Sequence, residues 1–287
     1  MGVGPAWQRS RIARAPFQGG VGEDGPVTDD RADRVFRKGS ASAPDGYFRW
    51  EASGLVWLAA APGGAPVVEV VAVEDDHLDL RRLSFVNPDP AMAEAFGAGL
   101  ARTHDAGAAA FGSAPDGWEG DGYLGPATSL LPLELRPTAS WGEFFAEQRI
   151  LATLALGHDR GLWHRADVAV FESVARRLAG GRFDDGAPPA RIHGDLWSGN
   201  IAWTAGGGVL IDPAAHGGHR ETDLAMLALF GCPHWDFVIG GYLSQHRLDA
   251  EWPQRVALHQ LHPLMVHAVL FGGDYAHRAV ELARRYR

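Results

Sequence analysis

The stretch Arg191-Ile-His-Gly-Asp-Leu-Trp-Ser-Gly-Asn200, continued to Asp212, constrains the fold more than any other part of the chain. It reads as a loop, a β-hairpin and a second loop. Ile201-Ala-Trp-Thr204 and Val209-Leu-Ile211 are short apolar runs rich in β-formers, and Ala205-Gly-Gly-Gly208 between them is a turn signal. A four-residue turn pairs Thr204 with Val209 and sets Ile201 opposite Asp212. Asn200 and Asp212 then share one end of two neighbouring strands, where directly opposed Cβ atoms lie roughly 5 Å apart. An amide oxygen and a carboxylate at that separation can both reach one Mg²⁺, which takes a few protein oxygens together with phosphate and water.

Asp195 supplies a third oxygen-bearing group. The order His193-x-Asp195-x-x-x-x-Asn200 matches the catalytic-loop spacing of kinase-type phosphotransferases. In that arrangement the Asp accepts the proton of the attacking hydroxyl, the Asn holds metal and a later Asp bridges metal to the triphosphate. Phosphoryl transfer needs positioning and charge neutralisation more than covalent chemistry. The competing interpretation is a solvated turn that happens to contain Asp and Asn, and the hairpin ending at Asp212 argues against it.

Composition narrows the class. The 287 residues allow one or two domains with a real core. A net charge of -9 and the lack of a long basic run speak against nucleic acid as a partner. Cys232 is the only cysteine, so no intrachain disulfide can form and a reducing, cytoplasmic compartment is expected. No apolar run approaches a membrane span, and Met1 to Pro16 lacks an apolar signal core. Lys plus Arg is 26, yet Lys38 is the only lysine. Arg is a planar fork and Lys a compact point charge, so a single retained lysine marks a position where the exchange fails, unless it survived by chance.

Along the chain, Arg34 to Lys38 reads as a short strand, Tyr47 to Leu58 as a helix, and Val67 to Val73 and His77 to Leu80 as strands. Glu51 lies one turn after Phe48 on that helix. A strand Lys followed by a helix Glu is the pair that orients nucleotide phosphates in kinase folds. Gly19 and Gly20 belong to a Gly-rich stretch whose backbone N–H groups can cover phosphates, although it also reads as a surface turn. Helices are expected from Ala91 to Ala109, from Trp141 (capped by Ser140), from Ala166 to Leu178 and over most of Trp235 to Tyr286. Phe111 to Pro126 reads as a long aromatic and Gly-rich loop. Asp223, in the first turn after Thr222 or Glu221, caps its helix or braces the catalytic-loop backbone. His104, His259, His262 and His267 read as packed helix histidines. The pattern is α+β: a bilobal, protein-kinase-like fold with a small β-rich N-terminal lobe, residues 1–82, and a larger mostly helical C-terminal lobe, residues 83–287.

With these residues in hand, the chain resembles the fructosamine-kinase (ketosamine-3-kinase) family within the aminoglycoside-phosphotransferase-like group. The likeness rests on Trp141-Gly-Glu-Phe-Phe-Ala-Glu-Gln-Arg149, His193-Gly-Asp-Leu-Trp-Ser-Gly-Asn200, and Leu210-Ile-Asp-Pro-Ala-Ala215 continuing to Arg220-Glu-Thr-Asp-Leu-Ala-Met226. It implies an ATP- and Mg²⁺-dependent kinase acting on the 3-hydroxyl of a ketosamine, either a small molecule or a glycated protein lysine. By match, Lys38 and Glu51 are the nucleotide pair, Asp195 the base, and Asn200 and Asp212 the metal ligands. Trp197 becomes a platform for the sugar, His216 a member of the acceptor pocket, and His193 and Asp223 structural supports. Gly194 and Pro213-Ala214 replace the residues that make a protein kinase switchable, which implies a constitutively assembled site. The alternatives are a phosphotransferase for an aminoglycoside, choline or free sugar, and a non-catalytic nucleotide-binding protein.

Overall fold

Strand β1 (Val35–Gly39) pairs antiparallel with β3 (His77–Arg81), and β3 pairs with β2 (Val70–Val73). The computed structural model describes residues 34–40 and 42–287. Across the β1–β3 pair the Arg37 guanidinium grips Asp79 through two hydrogen bonds of 2.7 Å. Side chains alternate along a strand, so holding Arg37 on one face directs Lys38 to the other. Helix α1 (Tyr47–Ala59) covers that sheet. Its Phe48, Ala52 and Leu55 bury against Val68, Leu78 and Leu80. The same spacing carries Glu51 on the buried side, and Gly54 lets the helix touch the chain just past Asp212. A Cβ there would stand 3.2 Å from Ala215 and 3.3 Å from Pro213.

The expected strand from Val67 is shorter than its β-propensity suggests. Val67 and Val68 leave the small sheet and bridge the hairpin that precedes Asp212 instead: Val68 N–H donates to the Leu210 carbonyl at 3.0 Å, and Leu210 N–H to that of Pro66 at 2.8 Å. This backbone stitch ties the small lobe to the loop that carries Asp212.

The larger lobe is helical: α2 (Pro90–Asp105), a continuous helix made of α3 (Trp141–Phe144), a π-helical segment (Phe145–Leu151) and α4 (Ala152–Asp159), then α5 (Arg165–Ala179), α6 (Arg220–Phe230), α7 (Trp235–Gln245), α8 (Trp252–His259), α9 (Leu261–Phe271) and α10 (Tyr275–Ala283). Ser140 accepts from Glu143 N–H at 3.2 Å, as its position requires. Helices α2 and α7 meet at two glycines; a Cβ at Gly97 would lie 1.9 Å from the Val238 carbonyl oxygen. That close crossing presses Tyr242 onto α2. The segment from Phe111 to Pro126 is not an unstructured loop, because β4 (Gly122–Leu124) pairs with β5 (Leu131–Leu133). Among the described residues no helix is long and apolar enough to cross a membrane.

An ion network closes the start of α6. Arg255 Nε donates to Glu221 at 2.9 Å, and its Nη2 bonds Asp185 at 2.9 Å. His219 and His259 come close enough to Glu221 to suggest a metal site. His262 and His267 are not part of it, and Arg255 already neutralises Glu221. Burial pushes the Glu221 carboxyl up, but bonding from His259 and Arg255 overcomes this and holds it at about 2. Its stabilisation is therefore complete above the ordinary Glu range and is lost as pH falls from about 4.3 towards 2. Arg255→Met is expected to cost roughly 3–5 kcal/mol at pH 7, because Glu221 stays buried without its cation. The gap to wild type should narrow below about pH 4, as the orphaned carboxyl protonates. Thermal melts of both proteins across pH 3–7 measure it; a constant gap would contradict this account.

Candidate active site

The catalytic loop runs between β6 (Ala190–Ile192) and the hairpin β7 (Ile201–Thr204) and β8 (Gly207–Leu210), with β9 (His216–Gly218) pairing back onto β6. The hairpin exists, but its register differs from the expectation. Thr204 pairs with Gly207, and Ile201 with Leu210. The turn tightens because the Thr204 hydroxyl accepts from Gly206 N–H at 3.2 Å and Gly207 adopts φ 111°, open to glycine. Asp212 thus lies two residues beyond the last ladder pair rather than opposite Ile201. Ile211 N–H donates to the Asn200 carbonyl at 3.1 Å, and Asp212 turns into the cleft through a left-handed backbone, φ 52°. That conformation is costly for a residue with a Cβ and is typical of functional turns. Asn200 and Asp212 still meet: Asn200 Nδ2 lies 3.4 Å from the Asp212 carbonyl oxygen.

Two lobes converge here. Lys38 Nζ sits 2.7 Å from Glu51 Oε2 and 3.0 Å from Asp212 Oδ1. Burial works against the ammonium, but the carboxylates of Glu51 and Asp212 outweigh it and raise its pKa, so Lys38 remains charged. Glu51 is 4% exposed, held on the buried side of α1. Tyr47, one turn earlier on α1, places its ring 6.0 Å from Lys38 Nζ, a neighbour that its position at the helix start could have signalled.

Asn200 Nδ2 donates to the Asp195 backbone carbonyl at 2.8 Å and to Asp195 Oδ2 at 3.1 Å. Both amide hydrogens face Asp195 and Asp212, so Oδ1 is the atom left to bind a cation. With the Asp212 carboxylate beside it, the donor set is hard oxygen, which suits Mg²⁺. Desolvation pushes the Asp195 carboxyl up to about 7; the Asn200 hydrogen bond opposes that shift and the neighbouring Asp212 and Asp223 charges add to it. A carboxyl near 7 is poised to take a proton at neutral pH.

The loop is held from behind. Asp223 accepts from His193 N–H at 2.7 Å and from Gly194 N–H at 3.0 Å, so it braces the backbone rather than only capping α6, whose cap is His219. His193 is neutral because burial lowers its pKa, and Nε2 donates to the Ile211 carbonyl at 2.9 Å. His104, fully buried, joins the brace: Nε2 lies 3.1 Å from Asp223 Oδ2 and Nδ1 lies 2.8 Å from the Tyr242 hydroxyl. Sequence spacing gives no hint of this contact, since helix packing alone brings Tyr242 to His104. Asp223→Asn sets an amide N–H against one of the two backbone donors, which sit on different carboxylate oxygens, and a misplacement of about 1 Å costs on the order of 10²-fold. The expected result is a kcat lower by about 10²-fold with ATP binding largely retained, checked by steady-state kinetics beside nucleotide titration.

Trp197 is 37% exposed and lines the cleft with Lys38, Glu51, Asp195, Asn200 and Asp212. His216 does not reach the cleft. It is buried, bonds the Ala214 carbonyl at 2.7 Å and lies against Phe144, because β9 carries it behind the loop. Gly19 and Gly20 lie outside the described residues.

The family model for fructosamine kinase matches residues 8–286. The chain belongs to the fructosamine kinase family. It is 33% identical over 279 residues to a Synechocystis protein assigned as a ketoamine kinase, spanning 95% of this chain and 89% of that one. A Thermobifida fusca crystal structure, assigned as a fructosamine-3-kinase, superposes with a TM-score of 0.79 at 47% identity, covering 87% of this chain and 84% of that chain. The aminoglycoside phosphotransferase APH(2")-IIa, solved with streptomycin and ATP, superposes with a TM-score of 0.57 over 88% of this chain and 85% of that one; at 11% identity this shows the shared fold. The bilobal kinase-like fold and an ATP-dependent ketoamine kinase activity follow from this membership.

Proposed function

We propose that this fructosamine kinase family member transfers the γ-phosphoryl group of ATP to the 3-hydroxyl of a ketosamine, a deglycation reaction that makes the sugar adduct labile and releases the amine. The observation that carries it is the meeting of Lys38, Glu51 and Asp212 within 3.0 Å contacts, on the same cleft as the Asp195–Asn200 pair. In this reading Asp195 accepts the proton of the 3-hydroxyl. The O3–P bond forms as the bond from the γ-phosphorus to the β-phosphate oxygen breaks, and ADP leaves. Lys38, fixed by Glu51, presents its ammonium to the phosphates. Asn200 Oδ1 and the Asp212 carboxylate are the groups suited to hold Mg²⁺, which when bound neutralises phosphate charge. Trp197 offers a flat apolar face for the sugar ring.

The test is ADP release by the purified chain across fructosamine, ribulosamine and erythrulosamine adducts, with an aminoglycoside, choline and free sugars alongside. Mg²⁺-dependent turnover confined to ketosamines supports the proposal. Turnover only of the other acceptors, or nucleotide binding with no turnover, overturns it.

A further inference from the structure

The cleft continues well past the catalytic cluster. Its volume is about 2030 Å³, against roughly 300–1,000 Å³ for a pocket holding one small ligand. The far part is built by the ends of α6, α7, α9 and α10, and its wall is largely aromatic, carrying Phe230, Phe237, His267, Phe271 and Tyr275, with the Asp236 carboxylate also on the lining. His267 organises it. The ring centroids of Phe230, Tyr275 and Phe271 lie 4.6, 5.2 and 5.4 Å from that of His267. His267 Nδ1 bonds the Pro263 carbonyl at 2.8 Å, and burial keeps the imidazole neutral, so the ring adds no charge to the wall. Phe237 and Phe271 nevertheless remain 46% and 60% exposed at the mouth. Large apolar rings left open in the same cleft as the reaction centre are apolar surface for a ligand to cover.

Chemistry decides which part of the acceptor reaches them. A ketosamine carries its amine on C1 and the reacting oxygen on C3. With O3 at Asp195, the amine substituent leaves the reaction centre on the side opposite C4 and the rest of the sugar. We infer that the aromatic wall is a subsite for the amine substituent of the acceptor, and that it selects ketosamines whose amine bears an apolar or aromatic group. This rests on the proposed ketosamine kinase activity and adds the class of amine.

Kinetics with two fructose adducts test it, one of 2-phenylethylamine and one of ethanolamine. Covering one aromatic ring is worth about tenfold or more, so kcat/KM for the phenylethyl adduct should exceed that for the ethanolamine adduct by at least tenfold. Phe271→Ala and Phe237→Ala remove exposed rings and should leave the melting temperature unchanged. Each should reduce the ratio at least threefold. A wild-type ratio within twofold, a ratio unmoved by both variants, or a preference for glycated protein over both adducts overturns the inference while leaving the kinase activity standing. Turnover of no ketosamine at all removes both.

Discussion

Asp195→Asn is expected to lower kcat by about 10³-fold while ATP still binds within a fewfold of wild type. The substitution keeps the shape of the side chain but removes the proton acceptor. It also turns an acceptor of the Asn200 Nδ2 hydrogen bond, 3.1 Å long, into an amide whose orientation must be chosen again. Burial is the main reason the Asp195 carboxyl lies at about 7, so kcat/KM of the wild-type enzyme should rise tenfold per pH unit below that value and level off above it. The sign follows from the role: only the ionised form accepts a proton. Asp195→Asn should flatten the limb. Initial rates from pH 5.5 to 8.5, on both proteins, check the magnitude and the slope; a limb that persists in the variant would assign it to another group.

Lys38→Met is expected to have the second largest effect. It removes the cation from between Glu51 and Asp212, leaving one buried and one half-exposed carboxylate facing each other. Breaking a buried pair costs roughly 3–5 kcal/mol, and the low end applies because the Lys38 side chain keeps 26% exposure. The loss of a phosphate-facing ammonium should raise the KM for ATP and lower kcat, together about 10³-fold in kcat/KM. Lys38→Arg should recover the melting temperature in part and the activity hardly at all. The guanidinium is wider than the ammonium and cannot hold both a 2.7 Å and a 3.0 Å contact from the same point while presenting charge to phosphate. Full activity in the arginine variant would show that the only lysine of the chain survives by chance.

The parts of this site that were legible beforehand are those with a local cause. Lys38 stands out because every other cation among the 26 Lys and Arg residues is Arg. Glu51 follows from its place on the helix after the Lys38 strand, and Asn200 and Asp212 from a hairpin ending. Even there the register differs from the expected one, because a Thr204 hydroxyl and one positive-φ glycine shorten the turn. The meeting of Asn200 and Asp212 survived because Asp212 bends back through a left-handed conformation that sequence pattern does not announce. What could not be read depends on packing between distant elements. The Val67–Leu210 bridge takes Val67 and Val68 out of the strand that Val70–Val73 still forms, and the His104–Tyr242 contact needs the two-glycine crossing of α2 and α7. His216 enters the acceptor pocket only by the family match; the β6–β9 pairing turns it inward. The aromatic wall was invisible for the same reason, since its rings come from four helices.

On the proposed function, Lys38, Glu51, Asp195, Asn200 and Asp212 act together on the 3-hydroxyl of a ketosamine. Phosphorus–proton correlation NMR of the product formed from ATP, Mg²⁺ and a fructosamine tests it most directly. A single new phosphorus signal coupled to the proton on C3 of the sugar is the expected result. Phosphorus coupled to another carbon's proton, or ADP formed with only inorganic phosphate beside it, would contradict it.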